Sequence, residues 1–198
     1  ANSSTGNVYD GAEKSAKGVE ADRFVVDGVE YAVSGYLTQD PAETAAGTYT
    51  NNVTGDFKVE DPAGNDVTSE FAVHTEDGAL EILPRPITVT ANGGEKQYDG
   101  KPLTAAETGY AIGGEGLVEG HEADVALSGS RTAPGTADAT VASVAVKDGT
   151  ADVTSNYDVA TANGTLTVTS RDAKYEVTLK ANSSTGNVYD GAEKSAKG

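Results

Sequence analysis

The sequence predicts an all-β chain, two small antiparallel β-sandwich domains in tandem, end to end, and three observations predict it. Residues Ala1–Gly18 (ANSSTGNVYDGAEKSAKG) return unchanged as Ala181–Gly198, an offset of 180 positions, so the chain holds one period of a tandem array and the opening of the next. Inside that period two stretches carry the same motifs in the same order. Short runs alternate apolar and polar residues between turn formers, and no window keeps apolar residues at helical spacing for three turns.

Taken in order, Ala1 to about Asp22 is polar and Gly-rich and reads as loop and turn. RFVV (Arg23–Val26) and VEYAV (Val29–Val33) flank Asp27-Gly28, a two-residue hairpin signal. A loop through Pro41 leads to strands over Thr48–Val53 and Asp56–Glu60, and DPAGND (Asp61–Asp66) is dense in turn formers. Phe71 and Val73 alternate toward Glu76, and Leu80 and Ile82 alternate beyond it, which predicts a second hairpin closed at Asp77-Gly78. Pro84 and Pro86 lack the amide that a ladder requires and mark a stiff boundary. ITVT (Ile87–Thr90) then opens the second unit, in which only KPLTAAET (Lys101–Thr108) has the composition for a turn of helix.

The second unit lies over the first. Tyr98, Asp99 and Gly100 answer Tyr9, Asp10 and Gly11; DVTSNY (Asp152–Tyr157) answers DVTSEF (Asp66–Phe71); and Asn163-Gly164 answers Asp77-Gly78 as a turn. The predicted domains are residues 1–86, 87–172, and a segment 173–198 carrying the first strand and opening loop of a further copy of the first domain. YEVTLK (Tyr175–Lys180) stands before ANSS as ITVT stands before ANGG. The first domain is therefore expected to lack its opening strand in this frame, and Tyr175–Lys180 to supply it head to tail to another molecule.

Fourteen Lys and Arg against 31 Asp and Glu give a net charge of -17, which repels nucleic-acid phosphates and anionic lipid. Cys, Met and Trp are absent, a composition suited to an extracellular bacterial protein that avoids thiol chemistry. No apolar run approaches the ~20 residues of a membrane span, and no basic start is followed by an apolar core. Neither nucleic acid nor membrane insertion is expected.

At ITVTANGGEKQYDGKPL, GLVEGHEADVALSGS and DVTSNYDVATANGTLTVT, covering nearly all of Ile87 to Thr169, the second unit resembles the YDG and MBG-type β-rich repeats of bacterial surface proteins, an Ig-like sandwich class. The first unit lacks the Gly-Leu-Val phrase and has an insertion around Pro41, so only the fold carries over there. The resemblance implies a stalk or adhesin module of a large, usually wall-anchored bacterial protein. It implies no enzyme, no cofactor and no fixed ligand residues.

The chemistry in the side chains is sparse. The triplets Tyr9, Asp10, Gly11 and Tyr98, Asp99, Gly100 read as a tyrosine packed at a strand exit with a turn shaped by Asp and Gly, against a sugar platform as the competing reading. Asp61, Asn65, Asp66, Asp148 and Asp152 are loop oxygens without a twelve-residue calcium loop, so no metal site is assigned. Lys96 with Asn156, or Lys58, would be the residues to test for an isopeptide bond, but neither lysine sits in an apolar phrase that would desolvate its amine. His74 and His121 are the only imidazoles, and no nucleophile elbow, zinc cluster or phosphate loop accompanies them. Asn2, Asn52 and Asn163 fit the glycosylation sequon.

The function expected is a spacer at a bacterial cell surface, with neighbouring repeats as partners. Strands of ~8 residues would add roughly 60 to 80 Å per period. The competing expectation is an adhesive repeat that binds host glycan or protein weakly and gains by avidity.

Overall fold

In the computed structural model, which describes residues 1–196, 51% of the chain is strand and 5% helix. Along the first unit run β1 (Ser4–Val8), β2 (Lys14–Ser15), β3 (Arg23–Val26), β4 (Val29–Thr38), β5 (Ala42–Glu43), β6 (Gly47–Asn51), β7 (Val53–Glu60) and β8 (Gly78–Leu83). Along the second run β9 (Arg85–Ala91), β10 (Gly94–Gln97), β11 (Leu103–Thr104), α1 (Ala105–Thr108), β12 (Tyr110–Gly114), β13 (His121–Ser128), β14 (Ser130–Arg131), β15 (Gly135–Asp148), β16 (Ala151–Asp152), β17 (Tyr157–Ala162) and β18 (Gly164–Thr169).

The second unit is organised along β15, whose fourteen residues pair antiparallel first with β18 and then with β13. β9 lies between β12, antiparallel, and β17, parallel. At Asn92-Gly93 the chain leaves that sheet and continues as β10, parallel to β18. β17 passes through Asn163 into β18 in the same way, so both strands change sheet half-way along the unit. The crossing is tight: a Cβ on Gly164 would lie 2.4 Å from the Ala91 oxygen, and one on Gly78 would lie 2.1 Å from the Asn2 oxygen. Both positions therefore require glycine, and they mark the same crossing in the two units.

The first unit repeats half of this plan. β1, β8 and β6 form one sheet, with β1 parallel and β6 antiparallel to β8. β3 and β4 form the hairpin across Asp27 (φ 52°) and Gly28 (φ 83°), and β4 pairs on with β7. α1 is a single turn with a capping box between Thr104 and Glu107.

Three sequence expectations are corrected. The sheets are mixed rather than antiparallel throughout, because strands that change sheet and run on place β9 beside β17, and β10 beside β18, in the same direction. The opening loop contains strand β1, recruited by the free edge of β8. The hairpin expected at Asp77-Gly78 is absent: residues 71–77 form no strand and β8 pairs elsewhere, while Asn163-Gly164 is a crossing, not a turn-back.

Buried apolar residues form two clusters. One contains Tyr9, Ala16, Leu80 and Ile82 of the first unit together with Ile87, Val89, Val146 and Tyr157 of the second. The other, centred on Leu103, Ala139, Leu166 and Val168, fills the outer half of the second unit. The first cluster crosses the boundary between the units, which are joined by Pro84 alone between β8 and β9.

Candidate functional site

The joint between the units is where the sequence motifs converge. Tyr9 follows β1, donates its amide to the Leu83 carbonyl at 2.9 Å and is only 4% exposed. Its ring meets that of Tyr157 edge-on (centroids 5.7 Å apart, 76°) and lies 6.1 Å from that of His121. The Tyr157 hydroxyl accepts from the Val118 amide at 3.1 Å and sits 2.7 Å from His121 Nδ1. Asn156 is buried; its Oδ1 accepts from the Ala46 amide at 2.8 Å, and its side chain also hydrogen-bonds Tyr9. Burial pushes the Tyr9 phenol above its usual range, and the Asn156 bond opposes that shift.

Asp10 and Gly11 shape the turn that delivers Tyr9. Asp10 accepts from the Ala12 amide at 2.9 Å and pairs with Lys14 at 2.7 Å; Lys14 first, and then that amide, hold its carboxyl below the ordinary range. Gly11 has φ 81°, and a Cβ there would lie 2.9 Å from Val118 Cγ1 across the joint. Arg85 ties the connection from the other side: it donates to the carbonyls of Gly116 (2.8 Å), Glu115 (2.6 Å) and Tyr9 (3.5 Å), and pairs with the Glu115 carboxylate at 3.3 Å.

The second triplet has the same local geometry without the joint. Tyr98 donates its amide to the Thr169 carbonyl at 2.9 Å, as Tyr9 does to Leu83. Asp99 accepts from the Lys101 amide (2.9 Å) and from Lys96 (3.0 Å), and its carboxyl is lowered by these two in that order. Gly100 has φ 82° with nothing within 4 Å of a Cβ. Tyr98 is half-buried at the outer end, facing a hollow shared with Pro134, Arg171 and Tyr175.

Other candidates lie apart. Lys96 bonds Asp99 and the Pro102 carbonyl at the outer end, whereas Asn156 is at the joint, so that pair does not meet. Lys58 lies on β7 opposite Ser34. Asp61, Asp66 and Asp152 each fold back on amides two residues ahead, at 2.9, 3.0 and 2.9 Å. Among the described residues no group of three or more His, Cys, Asp or Glu side chains gathers as metal ligands. His74 lines a groove at the far end of the first unit.

Sequence reasoning missed Arg85, His121 and Asn156 as joint residues. One signal was present: DVTSNY has Asn156, buried at the joint and bonded to the Ala46 amide, where DVTSEF has the exposed carboxylate of Glu70. Comparison with known protein families, with curated proteins and with solved structures finds no match to this chain.

Proposed function

We propose that this chain is a segment of a tandem-repeat stalk on a bacterial surface protein, built of two β-sandwich domains end to end, whose task is to hold another region of its parent protein away from the cell. The observation that carries the reading is the apolar cluster running through the joint, with Tyr9, Leu80 and Ile82 on one side and Ile87, Val89 and Tyr157 on the other. A one-residue connector, Pro84, and a continuous core resist bending, and resistance to bending is what a spacer needs. The tyrosines give less support to a sugar platform. Tyr9 and Tyr157 are buried, Tyr49 and Tyr110 bond the Ala45 and Ala123 carbonyls, and Tyr31 stacks on Phe24.

The fourteen residues of β15 set the length of one unit, about 46 Å, so a period adds roughly 90 Å. Small-angle X-ray scattering on chains of one, two and three periods tests this: the maximum dimension should rise linearly by about that amount. Growth as the square root of period number would refute a stiff spacer. Saturable binding of the three-period chain to mucin or host glycans, lost when Tyr110 is replaced by alanine, would replace the spacer reading with the adhesive one.

A further inference from the structure

In the second unit, the strands by which the chain enters and leaves lie side by side and run in the same direction. β9 and its continuation β10 carry the chain in from Pro84, and β17 and its continuation β18 carry it out toward Ser170. Six residues of β9 pair with β17, from Arg85 opposite Tyr157 to Thr90 opposite Ala162. Four residues of β10 pair with β18, from Gly94 opposite Leu166 to Gln97 opposite Thr169. Tyr157 stands 72 positions after Arg85, and Thr169 stands 72 after Gln97. The register is therefore unbroken where the strands change sheet, and they make that crossing together as one parallel ribbon. Tyr98 prolongs the ribbon, donating its amide to the Thr169 carbonyl at 2.9 Å.

The ends of the ribbon decide how it meets a pull. Arg85, where the chain enters, is at one end, and Thr169, where it leaves, is at the other. Tension along the main chain therefore draws the two strands past each other lengthwise. The ladder bonds lie across that motion and are evenly spaced, so they are strained together and none opens ahead of its neighbours. We infer that the parallel ribbon of residues 85–97 and 157–169 is a mechanical clamp that keeps the second unit folded when the chain is under tension. The inference rests on the stalk reading in one respect, that load passes along the main chain from unit to unit. In the first unit β1 and β8 are likewise parallel, and β8 is the strand that leads through Pro84 into β9.

Three features oppose sliding. The strands that take the load directly, β9 and β18, are both interior to their sheets. β9 is held on its other side by β12 in five antiparallel pairs, and β18 by β15 in five more. Side-chain alternation fixes the register: Ile87, Val89, Ala91, Leu166 and Val168 are buried, while Thr88, Thr90 and Thr167 between them are half-buried. A slide of one residue would turn each of these apolar side chains out of the core, and a slide of two would restore the faces only after the bonds had been broken. The crossing adds a steric stop. Drawing β18 outward by one residue brings Asn163 into the place of Gly164, where a Cβ would lie 2.4 Å from the Ala91 oxygen. A Cβ in the place of Gly93 would likewise lie 2.8 Å from the Thr165 oxygen.

Single-molecule pulling on the whole chain tests the clamp, and because the chain has no cysteine, introduced thiols define the points of load. P86C/S170C applies the load along the ribbon. P86C/D158C applies it across the same ladder from one end, since Pro86 and Asp158 are paired. All three positions are exposed. Along the ribbon the pairs yield together within the travel of one residue, and across it they yield in turn. At one loading rate the unfolding force should therefore be at least about threefold higher, the pairs along the ribbon giving way within ~3.3 Å. Lys96→Pro separates the ladder from overall stability. The two-residue alternation from Tyr98 turns the Lys96 amide toward β18, and proline has no amide to give. K96P should lower the force along the ribbon by about a third, the share of pairs contributed by β10. The force across the ribbon, set by the first pairs at Pro86, should not change. Equal forces in the two geometries would overturn the inference, and so would K96P lowering both forces alike or neither. The scattering test measures bending of chains under no load, so failure of the clamp and failure of the stiff spacer are told apart.

Discussion

Replacing Tyr9 by alanine removes the side chain that plugs the joint. At 4% exposure the ring hides close to the full area of an aromatic side chain, about 200 Å², which at about 25 cal/mol per Å² is about 5 kcal/mol as an upper bound. Large-to-alanine changes at such sites cost about 3–5 kcal/mol, the upper part where the cavity cannot collapse. Collapse is hindered here because Tyr157 and Val118 are held by a hydrogen bond to each other. The expected loss is therefore about 4 kcal/mol. Tyr98→Ala provides the control: same motif, same turn, but only half-buried, so its cost should be below half of that. Urea unfolding followed by circular dichroism gives both numbers. With only two histidines in the chain, proton NMR gives a local readout: the His121 ring, 6.1 Å from Tyr9, should shift while His74 does not. Equal costs for Tyr9→Ala and Tyr98→Ala, or an unmoved His121 signal, would refute the reading of Tyr9 as the joint residue.

Two further predictions follow from the same geometry. Gly11→Ala and Gly100→Ala place a Cβ on backbone with φ 81° and 82°, a strain of about 1–2 kcal/mol in each; Gly11→Ala adds a clash at 2.9 Å with Val118, so it should be the more destabilising in thermal melts, and equal melting points would refute the joint contact. Stability against pH should form a plateau. The carboxyls of Asp10, Asp61, Asp66, Asp99 and Asp152 are lowered in the folded chain, so their contribution is present above their unfolded values near about pH 4 and is lost as pH falls through the lower folded ones. The Tyr9 phenol is raised, so its contribution is present below about pH 10 and is lost as pH rises through the folded value. A urea midpoint that climbs steadily from pH 4 to pH 2, or is flat above pH 10, would contradict these signs.

Much of the architecture was legible in the residues. The 180-residue offset, the correspondence of DVTSEF with DVTSNY and the Asp27-Gly28 turn are local or repeated patterns. Their physics is settled within a few residues: left-handed glycines, alternation matched to a pleat, carboxylates folded onto amides. The β-rich character of the chain and the β3–β4 hairpin follow from them.

Partnership was not legible, because a strand is made by what lies beside it. Phe71–Glu76 alternates much as Tyr157–Ala162 does, yet only the latter is a strand, since β9 runs next to it and offers the hydrogen-bonding groups of a ladder. The two Tyr-Asp-Gly triplets make the same point for the joint: their turns share the same amide bonds, but Tyr9 is buried by Tyr157 and His121 whereas Tyr98 faces a hollow. Sequence by itself determined the repeats, the turns and the β character of this chain, since these are short-range properties of the backbone and its side chains. Only the tertiary structure decided which strands pair, where sheets exchange strands and which tyrosine closes a core, because those outcomes rest on contacts between residues some 75 to 150 positions apart.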